Sequence, residues 1–203
     1  MRRIVLVSAL VLSLLSLEAG RANEYEIDAA HSSAQFSIRH MMVSNVRGEF
    51  KKLKGTVYYD PQNLGASKVD VVLDAASIDT HETKRDDHLR SPDFFDAAKY
   101  PTLEFRSRRV EKGNGGRLKL LGDLTIHGVT KEVILNVTEI SPEIKDPRGN
   151  FRMGASATAK VNRKDFGLTW NKVMEAGGLL VGEDVTITIE VELVRKAQPA
   201  PAD

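Results

Sequence analysis

The sequence predicts an all-β protein of about eight antiparallel strands, closed as a barrel or packed as a sandwich. Three observations carry that expectation. Apolar residues recur at every second position in one segment after another, turn-forming residues separate those segments, and only one stretch of the 203 residues has helical character. The length is that of one domain with a single large core.

The chain opens on Met1-Arg2-Arg3, and residues 4–17 are apolar apart from Ser8, Ser13 and Ser16. This run is short for a bilayer span and has the basic-then-apolar order of a secretory signal, with small residues Gly20 and Ala22 before Asn23. The expected organisation is a signal peptide over 1–22, one barrel domain over 23–195 and a disordered Pro/Ala-rich tail over 196–203. A short arginine-bearing signal points to the bacterial periplasm, with no stable membrane insertion after cleavage.

The strands follow in order. Ala34, Phe36, Ile38 and His40 fall on one face and Ser33, Gln35, Ser37 and Arg39 on the other, as in a strand buried on one side. Residues 46–59 are the next candidate. Val69, Val71 and Leu73 then alternate with Lys68, Asp70 and Val72. A segment at 102–110 precedes the row Leu118, Leu120, Gly122, Leu124 and Ile126. Val133, Leu135 and Val137 alternate less cleanly with Ile134, Asn136 and Thr138. Met153, Ala155, Ala157 and Ala159 share the inward face of 151–161, and Val185, Ile187, Ile189, Val191 and Leu193 close the series. Turns are expected at Asp60-Pro61, Asn114-Gly115-Gly116, His127-Gly128, Pro147-Arg148-Gly149 and Gly177-Gly178. The exception is 80–91, where Thr80 as N-cap and Pro92 beyond the end predict one short, mostly exposed helix. A loop carrying Phe94, Phe95 and Tyr100 follows it.

The alanines bear on function. A wall of Ala155, Ala157 and Ala159 facing a barrel axis leaves volume that its own side chains cannot fill. An eight-stranded barrel either fills its centre or holds one small ligand, and this stripe favours a ligand. The alternative is that Phe36, Phe50, Phe105 and Trp170 fill the space from the opposite wall.

Most other chemistry is excluded. With 29 Lys+Arg against 28 Asp+Glu there is no basic excess of the kind that holds nucleic acid, and none to draw the chain to an anionic membrane. No cysteine is present, which removes disulfides, thiolate metal sites and cysteine nucleophiles. Asp28, His31 and Ser32 look superficially like a hydrolase set and define the rival, an exported hydrolase. Close spacing does not make side chains converge, however, and Asp and Ser beside a strand start are usually turn formers. His81 and His88 would stand about 10.5 Å apart along a helix, too far for one metal ion. No catalytic residue, metal site or cofactor is expected. His40 ends an apolar stripe, either satisfied at the barrel end by backbone or Ser44, or meeting the head of a ligand. Arg85-Asp86 and Arg90-Ser91 are expected to pin the helix to the barrel rim.

Read together, several segments resemble the YceI-like family of exported lipocalin-like barrels. They include Asp28-x-x-His31-Ser32, Phe36-Ser37-Ile38-Arg39-His40, Val43-Ser44-x-Val46-x-Gly48-x-Phe50 and Arg85-Asp86-x-His88-Leu89-Arg90-Ser91. Tyr100-Pro101-x-x-x-Phe105, Gly122-x-Leu124-Thr125-Ile126-His127-Gly128 and Asn162-Arg163-x-Asp165-Phe166-Gly167-Leu168 complete the pattern. The resemblance implies an eight-stranded antiparallel barrel with one short helix and an elongated apolar pocket. It implies a periplasmic carrier for a polyisoprenoid, isoprenoid quinone or similar long-chain amphiphilic lipid, with a role in stress tolerance and no catalysis. From the face assignment, the expected apolar lining is Phe36, Ile38, Phe50, Val71, Leu73, Phe105, Leu120, Leu124, Met153, Trp170 and Ile187. Phe94, Phe95 and Tyr100 are expected to close one end, and His40 to make the polar contact. Oligomeric state stays open, a homodimer or a ligand-free structural barrel included.

Overall fold

The computed structural model describes residues 23–113, 115, 117–175 and 177–197. The expected signal segment, Asn114 and Gly116 of one expected turn, and 198–203 of the expected tail lie outside these.

Twelve strands and one α-helix make up the described chain. They are β1 (Asn23–Ile27), β2 (Ser33–His40), β3 (Ser44–Phe50), β4 (Leu53–Tyr59), β5 (Lys68–Asp74) and β6 (Ile78–Asp79). After α1 (Thr83–Arg90) come β7 (Thr102–Lys112), β8 (Leu118–Ile126), β9 (Val129–Ile140), β10 (Ile144–Lys145), β11 (Phe151–Asn162) and β12 (Val181–Arg195). All pairings are antiparallel. β11, β9, β8, β7, β5, β4, β1 and β12 pair in that order, and β12 pairs back to β11 to close a ring of eight. Closure leaves the ring itself no free edge.

β12 serves two neighbours on one side. Its last residues pair with β1 (Leu193 opposite Ile27), and its first half pairs with β2 (Ile187 opposite Phe36). β3 and β6 extend from β2 as a flap over the upper half of the barrel. The register of β11 against β12 sets Ala155 opposite Val191, Ala157 opposite Ile189 and Ala159 opposite Ile187, a small residue facing a branched one at each step.

Two expectations need correction. Residues 46–59 are not one strand: β3 ends at Phe50 and β4 starts at Leu53, with Lys51-Lys52 between them. Thr80 is not the helix cap. It is buried, and its Oγ1 donates to Asp86 Oδ1 at 2.5 Å, so it is committed to the helix interior. Glu82 caps instead, accepting from the N–H groups of Lys84 (3.3 Å) and Arg85 (2.6 Å). Arginines do pin the helix: Arg85 Nη2 donates to Thr80 O, and Arg90 donates through Nε to Ala76 O and through Nη2 to Ile78 O.

The β8–β9 turn has positive φ at both His127 (52°) and Gly128 (72°), the geometry of a tight two-residue hairpin. A Cβ on Gly128 would stand 2.6 Å from the Tyr100 ring, so packing as well as φ requires glycine. Two groups of buried side chains hold the barrel. Phe50, Ala75, Ile78, Leu103, Ile126, Phe166 and Leu168 pack at the upper end, and Tyr25, Met153 and Leu193 pack at the lower. Among the described residues, no helix is long and apolar enough to cross a membrane.

Candidate functional site: the barrel interior

Inward rows of a filled barrel lose all contact with solvent. Here Phe36, Ile38, Val71, Leu73, Leu124, Ala157, Ile187, Ile189 and Val191 face inward yet remain only half-buried. The surface they keep is the wall of a cavity of about 550 Å³. It runs from Ile27, Val57, Ile140 and Leu193 near the lower cluster up to His40, Trp170, Leu180 and Val181. Its volume lies within the range of small-molecule pockets.

The aromatic side chains do not fill this space. Phe36 and Phe50 pack together with ring centroids 6.0 Å apart, and Phe95 meets Phe50 edge-on at 5.5 Å. Those rings pack on one another, and on β11, beyond β12 from Phe36, Ala155 and Ala157 stand in the cavity wall. Volume that alanine side chains cannot supply is left to the cavity.

Of the expected lining, Phe36, Ile38, Phe50, Val71, Leu73, Phe94, Phe95, Phe105, Leu120, Leu124, Trp170 and Ile187 stand in the cavity wall, as does His40. Two residues do not. Met153 is drawn into the lower cluster with Tyr25 and Leu193 and does not line the cavity. Tyr100 lies outside the barrel, its ring 4.5 Å from that of His127. The sequence also passes over Arg163, Leu168 and the wall contributed by β1 and β4. Arg163 lies just past the end of β11 in a short 3-10 turn, where alternation stops. The Asn162-Arg163-x-Asp165-Phe166-Gly167 motif was the only signal for it.

The upper rim is polar. His88, on the helix expected to be mostly exposed, is turned against Trp170 (4.8 Å between rings) and Phe94 (5.1 Å), with Nε2 2.8 Å from Asp93 Oδ2. Arg39, Glu82, Lys84 and Arg85 border it. Arg163 is 3% exposed: Nε donates to Gly182 O at 2.8 Å, Nη1 donates to Leu168 O, and buried Nη2 has no partner among the described residues. Burial pushes its pKa down. Glu183 reaches it only through space, because Glu183's own contacts go to Lys164 (2.5 Å) and Asn162 (3.5 Å).

At the lower end Asp28, His31 and Ser32 do not assemble as a hydrolase. His31 Nδ1 lies 3.0 Å from Asp28 Oδ2, but Ser32 Oγ is bound to the β12 backbone, accepting from Glu192 N at 3.0 Å. Asp28 accepts from Ala30 N and serves as the cap of a 3-10 turn. Oxygens and nitrogens of Asp28, His31 and Glu192 come close enough together to hold a cation. The guanidinium of Arg152 takes that position, with Nη1 2.7 Å from Asp28 Oδ2 and 2.5 Å from Glu192 Oε1. Its Nε donates to Asp146 Oδ2 at 2.8 Å. Arg152 first and His31 second hold the Asp28 carboxyl down at about 2.

A closed antiparallel ring around an apolar cavity with a polar rim defines a hollow, lipocalin-like barrel. The chain belongs to the YceI-like domain family, whose sequence profile matches residues 25–193. A UPF0312 protein of Vibrio cholerae is 41% identical over 181 residues, covering 88% of this chain and 90% of its own. One of Photorhabdus laumondii is 40% identical over 179 residues, covering 87% and 90%. The crystal structure of the Campylobacter jejuni YCEI protein shares 34% identity and superposes with a TM-score of 0.67 over 78% of this chain and 90% of that one. A domain from Saccharophagus degradans described as polyisoprenoid binding shares the fold (TM-score 0.62, 17% identity, 85% and 98% covered).

Proposed function

We propose that the protein is a periplasmic carrier that sequesters a polyisoprenoid, isoprenoid quinone or similar long-chain amphiphile in the barrel, and that it is not an enzyme. The observation that carries this reading is the partly accessible apolar wall around a cavity of about 550 Å³. Each methylene moved from water into such a wall contributes about 0.8 kcal/mol, so a long chain binds tightly without any charge contact. Cavity length and the wall residues Phe36, Ile38, Val71, Leu124, Trp170 and Ile187 then set which chain fits. His40 at the rim would meet the polar head. The polyisoprenoid-binding description of the Saccharophagus degradans domain supports the class of ligand, and the signal-like segment 1–22 supports the compartment.

The test is native mass spectrometry of the protein taken from its own periplasm, with organic extraction and mass analysis of what is released. A stoichiometric adduct extracting as a prenyl or quinone species is expected. An unliganded mass that stays unchanged after incubation with a polyprenol and a ubiquinone refutes the carrier reading in favour of a ligand-free barrel.

A further inference from the structure

The hairpin between β2 and β3 breaks two rules at once. Its tip is Met41-Met42-Val43, exposed to 45%, 66% and 77%, three consecutive apolar side chains where turns are normally polar. Both methionines also have positive φ, 52° and 60°. The other non-glycine residues with positive φ among the described ones are His81, Asp96 and His127, types that tolerate it. Methionine is not such a type, and Asn-Gly would make the same turn without strain. The fold spends backbone energy to hold large flexible apolar side chains out in water.

A fourth exposed apolar side chain belongs to a segment bonded to this tip. Met41 N donates to Leu180 O at 2.8 Å and Leu180 N to Lys172 O at 2.9 Å, which ties the hairpin to the turn carrying Val173, 80% exposed. Both segments belong to the cavity rim, because His40 and Leu180 are in its wall. Cations stand at the base. Arg39 Nη2 donates to Met42 O at 2.9 Å, and Lys172 precedes Val173, against one carboxylate, Glu175, on the same turn.

We propose that Met41, Met42, Val43 and Val173 form a wedge that docks the cavity mouth onto a lipid bilayer surface carrying anionic headgroups. Convex apolar side chains above a cationic base match such an interface, apolar atoms entering the acyl boundary and cations meeting phosphates. The near-neutral charge of the whole chain offers no general attraction, so docking is local to this tip and reversible. A second copy of the chain fits poorly, since four side chains fall short of the ~800 Å² per partner that a stable protein interface buries. The inference stands on exposure and backbone geometry and does not depend on which cargo the cavity holds.

The chain lacks cysteine, so a single one can be introduced and labelled. Met42→Cys and, at the opposite end, exposed Ile144→Cys are each labelled with an environment-sensitive nitrobenzoxadiazole probe in the full chain. They are mixed with vesicles of phosphatidylethanolamine and phosphatidylglycerol. The label at 42 should shift to the blue and be quenched by brominated acyl chains, while the label at 144 stays in water. In the unlabelled protein, Met41→Ser with Met42→Ser and Val43→Ser should lower vesicle partition at least about tenfold, and Val173→Ser alone should lower it by less. A label at 42 that remains in water overturns docking. Equal response at 144 would mean non-specific adsorption, and a shift that tracks protein concentration without vesicles would assign the tip to a second copy. Since no cargo is measured, an empty barrel would leave this result intact and a docked barrel would leave the carrier reading to its own test.

Discussion

Ala157→Leu separates a hollow barrel from a filled one. Ala157 lies between Ile189 of β12 and Val137 of β9 and faces the cavity. The substitution adds an isopropyl group. In a close-packed interior that overpacking costs about 1–3 kcal/mol. Facing a cavity of about 550 Å³, the added carbons have room to extend, and the unfolding free energy should change by less than about 1 kcal/mol. Binding should suffer instead. If the leucine keeps two or three methylenes of a bound chain out of the wall, at about 0.8 kcal/mol each, affinity falls by about 2 kcal/mol, roughly thirtyfold. Urea unfolding gives the first number and displacement of a fluorescent prenyl probe the second. A variant that loses 1–3 kcal/mol of stability yet binds the probe unchanged would refute the open cavity. Ala155→Leu, one step along the same row, should repeat the result.

Other perturbations probe the ends of the barrel. Asp28, held at about 2, and Asp146, also lowered by Arg152, have folded pKa values below their unfolded ones. Their contribution is therefore full above the ordinary carboxylate pKa of about 4 and is lost as pH falls towards 2. Urea midpoints measured down this range should drop, and Arg152→Met should flatten the drop; an identical slope in the variant would clear Arg152 of the role. Tyr25 is pushed up to about 12, by burial first and by its hydrogen bond to Glu143 (2.8 Å) second. Its contribution is present below the ordinary tyrosine pKa near 10 and disappears between 10 and 12. Ultraviolet titration should show one late-ionising tyrosine that Tyr25→Phe removes. Arg163→Leu strips the donors from Gly182 O and Leu168 O and should cost on the order of 2 kcal/mol in urea unfolding. Gly48→Ala would place a Cβ 2.6 Å from both the Phe36 ring and the Thr80 methyl, and a loss of about 1–3 kcal/mol is expected.

Where alternation is strict and long, as in β2, β8, β11 and β12, both the strand and its inward face could be read from residues alone. β1 could not, because Asn-Glu-Tyr-Glu-Ile is too short for period two to rise above chance, and its partners β4 and β12 are distant in sequence. Alternation also says which face a residue is on and not how far along the axis it sits. Met153 is inward like Ala155 and Ala157 yet lies further down the axis and is packed against Tyr25 and Leu193. Tyr100 misled for another reason: an aromatic residue in a loop beside a barrel can pack inside or outside, and only the Gly128 hairpin shows that it packs outside. His40 stands in the cavity wall because it ends a well-registered strand, whereas Arg163 follows a strand end into a turn where no period applies.

The pairing of β1 with β12 has a consequence in time. The first strand of the described chain and the last are neighbours in the ring, and β12 also carries β2 and β11. No ring can close, and no cavity can exist, until the ribosome has delivered Val181–Arg195. Until then β1, β2 and β11 each lack their shared partner, and the long-range pairings that close the ring can form only after the last strand is made. Truncation within the last strand should therefore abolish the fold as a whole, and lengthening the chain beyond Arg195 should not delay closure.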